Sequence, residues 1–307
     1  MQPNPDRGHF LFCTNGLYAQ HSAACIKSLL ENSSLKHHDI CVVGHFEDTS
    51  IPAKLRSIAD TYENADIRVI DFQPDDSLKA ATKSYWSIDM FNRFWVVEFF
   101  ESDVKRVLYL DSDIIVRGDI APLFNTDLEG KMFGAVSIPH SAQCAALDLP
   151  PEYEYFNSGV LLFDMDKWRS SKPLDTLLPY IAANPDKLSF PDQDALNACY
   201  YADRHVLDYR WNLIVPFIWR KNELQIQASE RKRIVREAVV VHYNTPLKPW
   251  HYLSAHPYKK DYWFYLRGTP WQHEKPQGKT ALNMVKKLYN FLMPQEAITL
   301  MNKIRGR

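Results

Sequence analysis

The sequence predicts an α/β protein with a mainly parallel β-sheet and helices on both faces of that sheet. In the first third of the chain, apolar segments of strand length alternate with segments of helical length. This alternation is typical of crossover units, in which a helix joins two parallel strands. The chain has 307 residues, of which 46% are hydrophobic and 13% aromatic, which is sufficient for a sizeable core. We therefore expect a folded globular protein rather than a disordered chain.

Each predicted element follows from the local pattern of apolar residues. Strands are predicted at residues 9–14, 40–46, 67–72 and 107–110, separated by helices at 22–31, 52–62 and 87–101. The remaining chain is more mixed, with strands at 133–137, 159–163, 205–209 and 238–242 and helices at 166–183 and from 191 onward. No internal repeat is present at a period that would indicate a solenoid or a propeller.

Composition and charge exclude several classes of protein. The net charge is −1, so no overall positive field would attract nucleic acid, and we expect no nucleic-acid partner. No apolar stretch is long enough to span a bilayer, and residues 1–7 lack the apolar segment of a signal peptide. The five cysteines are widely spaced without a Cys-x-x-Cys pair, which disfavours a zinc site or a disulfide framework and favours a cytoplasmic protein.

Residues 268–307 differ in composition and are expected to form a basic helical extension of a main domain at residues 1–267. Two helical patterns, 281–292 and 295–304, follow a segment rich in Pro and Gly. The apolar residues of the first pattern share one helical face: Leu282, Val285, Leu288, Tyr289 and Leu292. A basic amphipathic helix of this kind lies on an anionic membrane surface or packs against its own domain, and the pattern alone does not choose between them.

The most informative segment is Tyr109-Leu-Asp-Ser-Asp113, which closes a predicted buried strand. The carboxylates of Asp111 and Asp113 are hard oxygen ligands of the kind that Mg²⁺ and Mn²⁺ prefer, and such an ion can hold a diphosphate. The carboxyl end of a strand is also where open α/β sheets bind nucleotides. Aspartates are common in turns for structural reasons, so the pair alone is weak support. Its position and its companions strengthen the hypothesis of a metal-dependent enzyme with a nucleotide-linked substrate.

Several ordered motifs resemble glycosyltransferase family 8, the retaining, GT-A-fold group that includes bacterial lipopolysaccharide galactosyl- and glucosyltransferases and glycogenin. The resemblance covers residues 10 to about 251. It depends on the segments Phe12-Cys-Thr-Asn-Gly-Leu-Tyr18, Arg106-Val-Leu-Tyr-Leu-Asp-Ser-Asp113, Phe156-Asn-Ser-Gly-Val-Leu-Leu-Phe163, Pro191-Asp-Gln-Asp194 and His242-Tyr-Asn-Thr-Pro-Leu-Lys-Pro-Trp250. It implies a GT-A catalytic domain at residues 1–267. The tail at 268–307 is similar to the extension of the lipopolysaccharide members.

The resemblance implies a Mn²⁺ (or Mg²⁺) site formed by Asp111, Asp113 and His242. From the residues alone, His242 ends an apolar strand, which would place its imidazole near the same sheet edge as the aspartates. Two carboxylates and an imidazole, with diphosphate oxygens completing the shell, suit an octahedral ion. The structural alternative for His242 is a hydrogen-bonded core histidine.

The resemblance also implies the residues that would bind the donor and assist its reaction. The predicted substrate-binding residues are Thr14, Asn15, Tyr18, Arg93, Ser112, Asn157, Ser158, Asp192 and Lys248. The predicted catalytic residues are Gln193 near the anomeric carbon, Asp194, and Lys248 at the departing diphosphate. The cation of Arg93 in an apolar segment would either extend to solvent or meet an anion. One of the acidic residues that open the helix at 191 is expected to cap that helix instead.

Two positions depart from the family's pattern. Asn15 stands where an acidic residue usually meets the nucleoside, and Thr245 stands where glycine is common. The first departure makes the nucleotide preference less certain. The second would alter how closely the backbone approaches the phosphate.

The function implied is retaining transfer of galactose or glucose from a UDP-sugar to a saccharide or glycolipid hydroxyl, as in lipopolysaccharide or other surface-glycan synthesis. The expected location is the cytoplasm, with peripheral association at the inner face of the plasma membrane as one interpretation of the tail. Two alternatives stay open on the sequence: a metal-dependent phosphohydrolase or nucleotidyltransferase, and an inactive nucleotide-sugar-binding protein. The former usually gathers more ligands around two metals than this chain offers.

Overall fold

The computed structural model describes residues 6–74, 78–79, 82, 87–219 and 224–292 of the chain. Its strands are β1 (Arg7–Cys13), β2 (His37–Gly44), β3 (Ala65–Asp71), β4 (Arg106–Leu110), β5 (Ile114–Val116), β6 (Phe133–Ser137), β7 (Phe156–Asp164), β8 (Arg204–Leu207) and β9 (Val240–His242). Seven of them form one sheet in the order β3-β2-β1-β4-β7-β6-β8, while β5 and β9 form a separate antiparallel pair.

The main sheet is mostly parallel, as the sequence predicts. β1 pairs in parallel with β2 and β4, β2 with β3, and β6 with β8. Only β7 runs against its neighbours, β4 and β6. The strands near the centre read as continuous apolar runs because both of their faces are covered by other elements. The predicted α/β class is therefore confirmed.

Helices and short 3₁₀ helices connect the strands. The α-helices are α1 (Ala19–Asn32), α2 (Ile51–Arg56), α3 (Ala121–Phe124), α4 (Gln143–Ala146), α5 (Met165–Ser171), α6 (Leu174–Ala183), α7 (Pro191–Tyr200), α8 (Val215–Trp219), α9 (Ala228–Glu237), α10 (Lys259–Leu266) and α11 (Ala281–Leu292). The 3₁₀ helices are Ala59–Thr61, Ile88–Glu98, Tyr201–Asp203 and Tyr209–Trp211.

Three sequence-based predictions need correction. The segment predicted as a helix at 87–101 forms the 3₁₀ helix Ile88–Glu98, and the helix predicted at 52–62 divides into α2 and the 3₁₀ helix Ala59–Thr61. The helix predicted at 166–183 is two helices, because Lys172 takes a left-handed conformation with φ of 47° just before Pro173. Strand β5, which has three residues, went unpredicted.

Apolar residues of the sheet alternate between two core layers. On β1, Phe10 and Phe12 pack into one layer with α1, whereas Leu11 and Cys13 pack into the other with the 3₁₀ helix Ile88–Glu98. This alternation follows from the two-residue period of side chains along a strand. The result is a sheet covered on both faces, with its polar strand ends left available at the edges.

The C-terminal part leaves the main body gradually. Leu266 is buried, and Gln277 exchanges backbone hydrogen bonds with Trp250 and Tyr252 at 2.9 and 2.8 Å. Helix α11 occupies the residues predicted for it, 281–292, whereas the helix predicted at 295–304 lies outside the described residues. A domain boundary at residue 268 stays a prediction. No helix within the described part of the chain is long and apolar enough to cross a membrane.

Candidate functional site

Two short strands bring distant carboxylates and an imidazole together. Asp111 and Asp113 follow β4, and pairing of β5 with β9 sets Ile114 opposite His242. The Nε2 atom of His242 lies 3.2 Å from Asp113 Oδ1 and 3.5 Å from Asp111 Oδ2. One ligand atom from each of the three residues lies within 4.8 Å of the others. Sequence predicted this meeting, although the β5–β9 pair that produces it was not recognised.

Gly159 on β7 gives the cluster its space. Its carbonyl oxygen accepts the amide hydrogen of Asp111 at 2.9 Å, so the two backbones are in direct contact. A Cβ atom at position 159 would lie 2.3 Å from His242 Cε1 and 2.7 Å from Asp111 Oδ2. Neither distance is sterically allowed, so a larger residue would displace the imidazole or the carboxylate.

Lys248 contacts the same cluster from the loop after β9. Its ammonium donates to Asp113 Oδ2 and, at 2.7 Å, to the carbonyl oxygen of Tyr243. Burial alone would raise the pKa of Asp113, but its neighbours, above all the charge of Lys248, outweigh burial and hold this pKa well below its ordinary value. Asp113 is therefore ionised at neutral pH. The Lys248 side chain is therefore held at the cluster, with only 15% of it exposed, instead of being solvated in its loop.

Arg93 is buried and meets anions rather than extending to solvent. Its guanidinium lies 3.0 Å from Asp111 Oδ1 and 3.2 Å from Asp192 Oδ2, and it donates to Ser158 Oγ at 3.1 Å. Its guanidinium carbon also lies over the ring of Tyr109, 4.3 Å from the ring centroid. Burial lowers its pKa, but the neighbouring acidic groups prevail and the pKa lies above its ordinary value. Arg93 thus links the Asp111 end of the site to the start of α7.

The start of α7 contributes three polar side chains with different surroundings. Burial raises the pKa of Asp192 to about 6 in spite of the opposing charge of Arg93. Gln193 accepts the amide hydrogen of Ser158 at 2.9 Å and donates to the Tyr155 hydroxyl at 2.7 Å.

Asp194, the third of these side chains, is wholly buried. One of its carboxylate oxygens accepts the Tyr155 hydroxyl, and the other accepts the amides of Ser189 and Phe190 at 2.7 and 2.8 Å. Those amides precede the helix, so Asp194 holds its N-terminal end. It thus has a structural role of the kind that the sequence allowed for one of these acidic residues, although Phe190, the N-cap residue, makes no side-chain cap hydrogen bond.

The loop after β1 lies at the same edge of the sheet. Asn15 Oδ1 accepts the amides of Leu17 and Tyr18, both at 3.1 Å, and so organises the start of α1. Ser112, between the two aspartates, accepts a hydrogen bond from Ser22 Oγ at 2.8 Å. Thr14 is buried beside this loop, while Tyr18 is partly exposed. The amide carbonyl at position 15 thus has an internal role, which leaves the Nδ2 group, 3.2 Å from Ser87 Oγ, facing another loop.

Sequence reasoning missed Asn212. This residue is fully buried, and its Oδ1 lies 3.1 Å from His242 Nδ1, the same distance as Asn157 Oδ1. A polar residue between the apolar Trp211 and Leu213 was the available signal. Asn157 itself also donates to Gln193 Oε1 at 2.8 Å, so both ends of its amide are engaged within the protein.

The chemistry of the donor set fits a divalent cation with a preference for oxygen ligands. Two carboxylates and one imidazole nitrogen converge, and the glycine opposite them permits the close approach. Beside them, Lys248 and Arg93 provide positive charge that suits phosphate. Such a site is suited to holding a diphosphate while a bond to it breaks.

Comparison with known sequences gives extensive matches. The sequence pattern of the family described as Glycosyl transferase family 8 matches residues 9–254. A lipopolysaccharide 1,2-glucosyltransferase of Escherichia coli K12 is 29% identical over 216 residues, 68% of this chain and 63% of that protein, which is slightly under two thirds of its length. General stress protein A of Bacillus subtilis 168 is 25% identical over 284 residues, 90% of this chain and 97% of that protein.

Comparison with solved structures gives the same result for the fold. A crystal structure of the galactosyltransferase LgtC in complex with donor and acceptor sugar analogues has a TM-score of 0.76 and 23% sequence identity, covering 85% of this chain and 96% of that one. The glycosyltransferase GlyE of Streptococcus pneumoniae TIGR4 has a TM-score of 0.63 and 22% identity, covering 84% of this chain and 60% of that one. The expected GT-A fold is therefore confirmed.

Proposed function

Because this chain belongs to glycosyltransferase family 8, we propose that it transfers galactose or glucose from a UDP-sugar to a saccharide hydroxyl. The observation that carries the proposal is the convergence of Asp111, Asp113 and His242, with Lys248 in contact with the same cluster. A departing diphosphate needs positive charge near several of its oxygens, and here the cations of Arg93 and Lys248 contact the carboxylates of Asp111 and Asp113.

Asp111, Asp113 and His242 would hold a Mn²⁺ or Mg²⁺ ion. When bound, such an ion neutralises negative charge on the leaving diphosphate. Lys248 would add a second positive charge by turning from Asp113 to a phosphate oxygen. Arg93, which is paired with Asp111 and Asp192, would contact the donor from the Asp111 end of the site.

We propose that the reaction retains the anomeric configuration through attack on the same face. The acceptor oxygen forms a bond to the anomeric carbon as the bond from that carbon to the diphosphate breaks, and the acceptor proton passes to the departing phosphate oxygen. No side chain needs to act as a nucleophile, since the amide of Gln193 is a poor one. Gln193 would lie near the anomeric carbon, and Asp194 would position it through Tyr155.

The remaining side chains would form the donor pocket. Thr14, Asn15 and Tyr18 would line the nucleoside end, with Ser112 beside them. At the sugar end, the proposed contacts come from three further residues, Asn157, Ser158 and Asp192. Amides, hydroxyls and carboxylates bond sugar hydroxyls in fixed directions, which suits selection between hexoses.

A screen of UDP-sugars with Mn²⁺ tests the proposal. We expect one UDP-hexose, UDP-galactose or UDP-glucose, to be hydrolysed slowly without acceptor and to raise the melting temperature of the protein. NMR of the first product formed with a saccharide acceptor should show an α-glycoside. An inverted configuration would exclude the same-face mechanism. Rapid cleavage of a simple phosphate ester, with no response to any UDP-sugar, would instead identify a phosphohydrolase.

For the acceptor, we propose a lipid-linked saccharide at the inner face of a bacterial membrane, reached with the help of α11. The apolar face of this helix is exposed rather than packed on the body, with exposed fractions of 72% for Leu282, 65% for Val285 and 58% for Leu288. Lys286 follows on the polar side of the same helix. Apolar burial in lipid, together with attraction between lysines and anionic headgroups, stabilises binding of such helices.

Sedimentation with vesicles containing anionic phosphatidylglycerol tests this role. The double variant Leu282→Ser/Val285→Ser should bind the vesicles at least about 10-fold more weakly, since two exposed apolar side chains lose their burial in lipid. Val206→Ser is the matched control, because Val206 is 57% exposed on β8. Equal binding by the wild type and the double variant would exclude the membrane role and leave the transferase proposal intact.

A further inference from the structure

The imidazole of His242 is held from both of its nitrogen atoms. Nε2 faces the carboxylates of Asp111 and Asp113. On the opposite side of the ring, Nδ1 lies 3.1 Å from the side-chain oxygens of both Asn157 and Asn212. The exposed fraction of His242 is 3%, so no more than a trace of the ring reaches solvent.

Neighbouring hydrogen bonds identify the atoms that face Nδ1 as oxygens. The amide hydrogen of Gly159 is donated to Asn157 Oδ1 at 3.1 Å, and a backbone amide has no other role than donor. Asn212 Nδ2 donates to the same Oδ1 at 2.7 Å, which turns Asn212 Oδ1 toward the ring. Two oxygen acceptors at one ring nitrogen require that this nitrogen carry the hydrogen.

The backbone sets the position of Asn212 as firmly as its side chain. The next residue, Leu213, donates its amide hydrogen to Val240 at 2.8 Å, and its carbonyl accepts the amide of His242 at 3.0 Å. Asn212 is thus tied to the strand that carries His242, although 30 residues separate them. A change of its side chain would alter the contact with the ring without moving the strand.

We propose that Asn212, together with Asn157, is a positioning residue that keeps the proton of His242 on Nδ1 and leaves the Nε2 lone pair directed at the cation. The proposal rests on the metal site put forward above. Histidine ligands are commonly oriented by an acceptor at their second nitrogen, and loss of that acceptor costs about 10–100-fold in metal affinity. Here the acceptor would be a neutral amide pair rather than a carboxylate.

Calorimetry with Mn²⁺ alone, without nucleotide, tests this proposal apart from catalysis. Asn212→Leu has nearly the same shape but no acceptor, and it should bind Mn²⁺ about 10-fold or more weakly. Asn212→Asp restores an acceptor oxygen but, like the leucine variant, lacks the donor to Asn157, so it should recover part of the affinity. Asn32→Leu is the matched control, because Asn32 donates to Ser28, Val116 and Tyr265 but makes no contact with His242.

Each outcome decides a different statement. Wild-type affinity in Asn212→Leu, or equal weakness in the Leu and Asp variants, overturns the positioning role but leaves the metal site. Absence of Mn²⁺ binding in the wild type overturns both. A measurement on the wild type covers the case of a variant that does not fold: ¹⁵N NMR of the Mg²⁺-loaded protein, with His242→Gln to assign the signal, should show hydrogen on Nδ1. Hydrogen on Nε2 would contradict the proposal.

Discussion

In the part of the chain that the structure describes, two clusters each contain one histidine and two aspartates, one just after the carboxyl end of β4 and the other at the amino ends of β2 and β3. The first is Asp111, Asp113 and His242, and the second is His37, Asp39 and Asp66. In the second cluster, the register of β2 and β3 sets Asp39 beside Asp66, and His37 Nε2 lies 3.0 Å from Asp66 Oδ2. By composition and by distance the two groups are equivalent.

Their surroundings differ. Arg7 donates twice to Asp39, from Nε at 2.5 Å and from Nη2 at 2.8 Å, so the carboxylate is already neutralised by a fixed cation. The side chain of Asp66 is 75% exposed, whereas that of His242 is 3% exposed. Among the described residues, no pair of acceptors comparable to Asn157 and Asn212 faces the second ring nitrogen of His37. We infer that neighbouring groups, not ligand types, distinguish a site from a surface charge network.

The largest difference should appear when one carboxylate of each cluster loses its charge. Asp113→Asn should lower the rate of Mn²⁺-dependent transfer at least about 100-fold. The variant lacks a carboxylate ligand of the cation that would neutralise the charge developing on the diphosphate. Asp66→Asn should keep the wild-type rate. The check is initial velocity with a UDP-hexose at saturating Mn²⁺. An active Asp113→Asn protein would remove this residue from the site.

The close approach of backbone to the first cluster can be tested with two glycines. Gly159→Ala should weaken Mn²⁺ binding about 10-fold or more, because its Cβ would collide with His242 and Asp111. The matched control is Gly118→Ala, whose Cβ would come no nearer than 3.6 Å to Val239. Calorimetry on both variants provides the measurement. Unchanged affinity in Gly159→Ala would show that the cluster tolerates displacement of its ligands.

Substitution of Lys248 is expected to have a smaller effect on Mn²⁺ affinity, and one of opposite sign. Its ammonium neutralises Asp113, so it competes with a divalent cation for that carboxylate. Lys248→Met should bind Mn²⁺ alone several-fold more tightly, about 1 kcal/mol, but UDP with Mn²⁺ more weakly. Lys105→Met, which breaks the more exposed ion pair with Asp166, should change neither. A loss of affinity for Mn²⁺ alone would contradict the competition.

The smallest effect concerns stability as a function of pH. Since the pKa of Asp192 is about 6, the folded protein keeps a proton there between pH 4 and 6 that the unfolded chain has released. The stability this group contributes is therefore lost as pH rises through that window. We therefore compare the Tm of Asp192→Asn with that of the wild type at two pH values. The Tm of the variant minus that of the wild type should be roughly 2–4 °C larger at pH 7 than at pH 4.5.

Asp39 in the second cluster should show the reverse dependence. Burial raises its pKa, but the hydrogen bond and charge of Arg7 outweigh burial and hold the pKa below its ordinary value. Its contribution is present above that ordinary value and is lost on acidification. In thermal melts, the Tm of Asp39→Asn should therefore lie below that of the wild type at neutral pH, and this difference should disappear toward low pH. If the Tm difference between variant and wild type changed with pH in the same direction for Asp192 and Asp39, the opposite pH dependences predicted for them would be contradicted.

Much of the fold could be predicted because its signals are local. Apolar runs predicted β1, β2, β6 and β7. The segment Tyr109-Leu-Asp-Ser-Asp113 indicated the end of a strand followed by two carboxylates that could bind a metal ion. One of the elements predicted less well depends on the conformation of a single residue. Lys172 in a left-handed conformation divides a helix whose apolar pattern continues across the break.

The sequence by itself determined the α/β class, the family's motifs and the types of metal ligand that follow β4, since these depend on residue identity and short spacing. Only the tertiary structure decided which groups stand behind those ligands. Asn212 meets His242 across 30 residues, Gly159 matters because it has no Cβ, and Arg7 neutralises Asp39 across 32 residues. Such contacts arise from strand pairing between distant segments, and no local pattern of side chains encodes them.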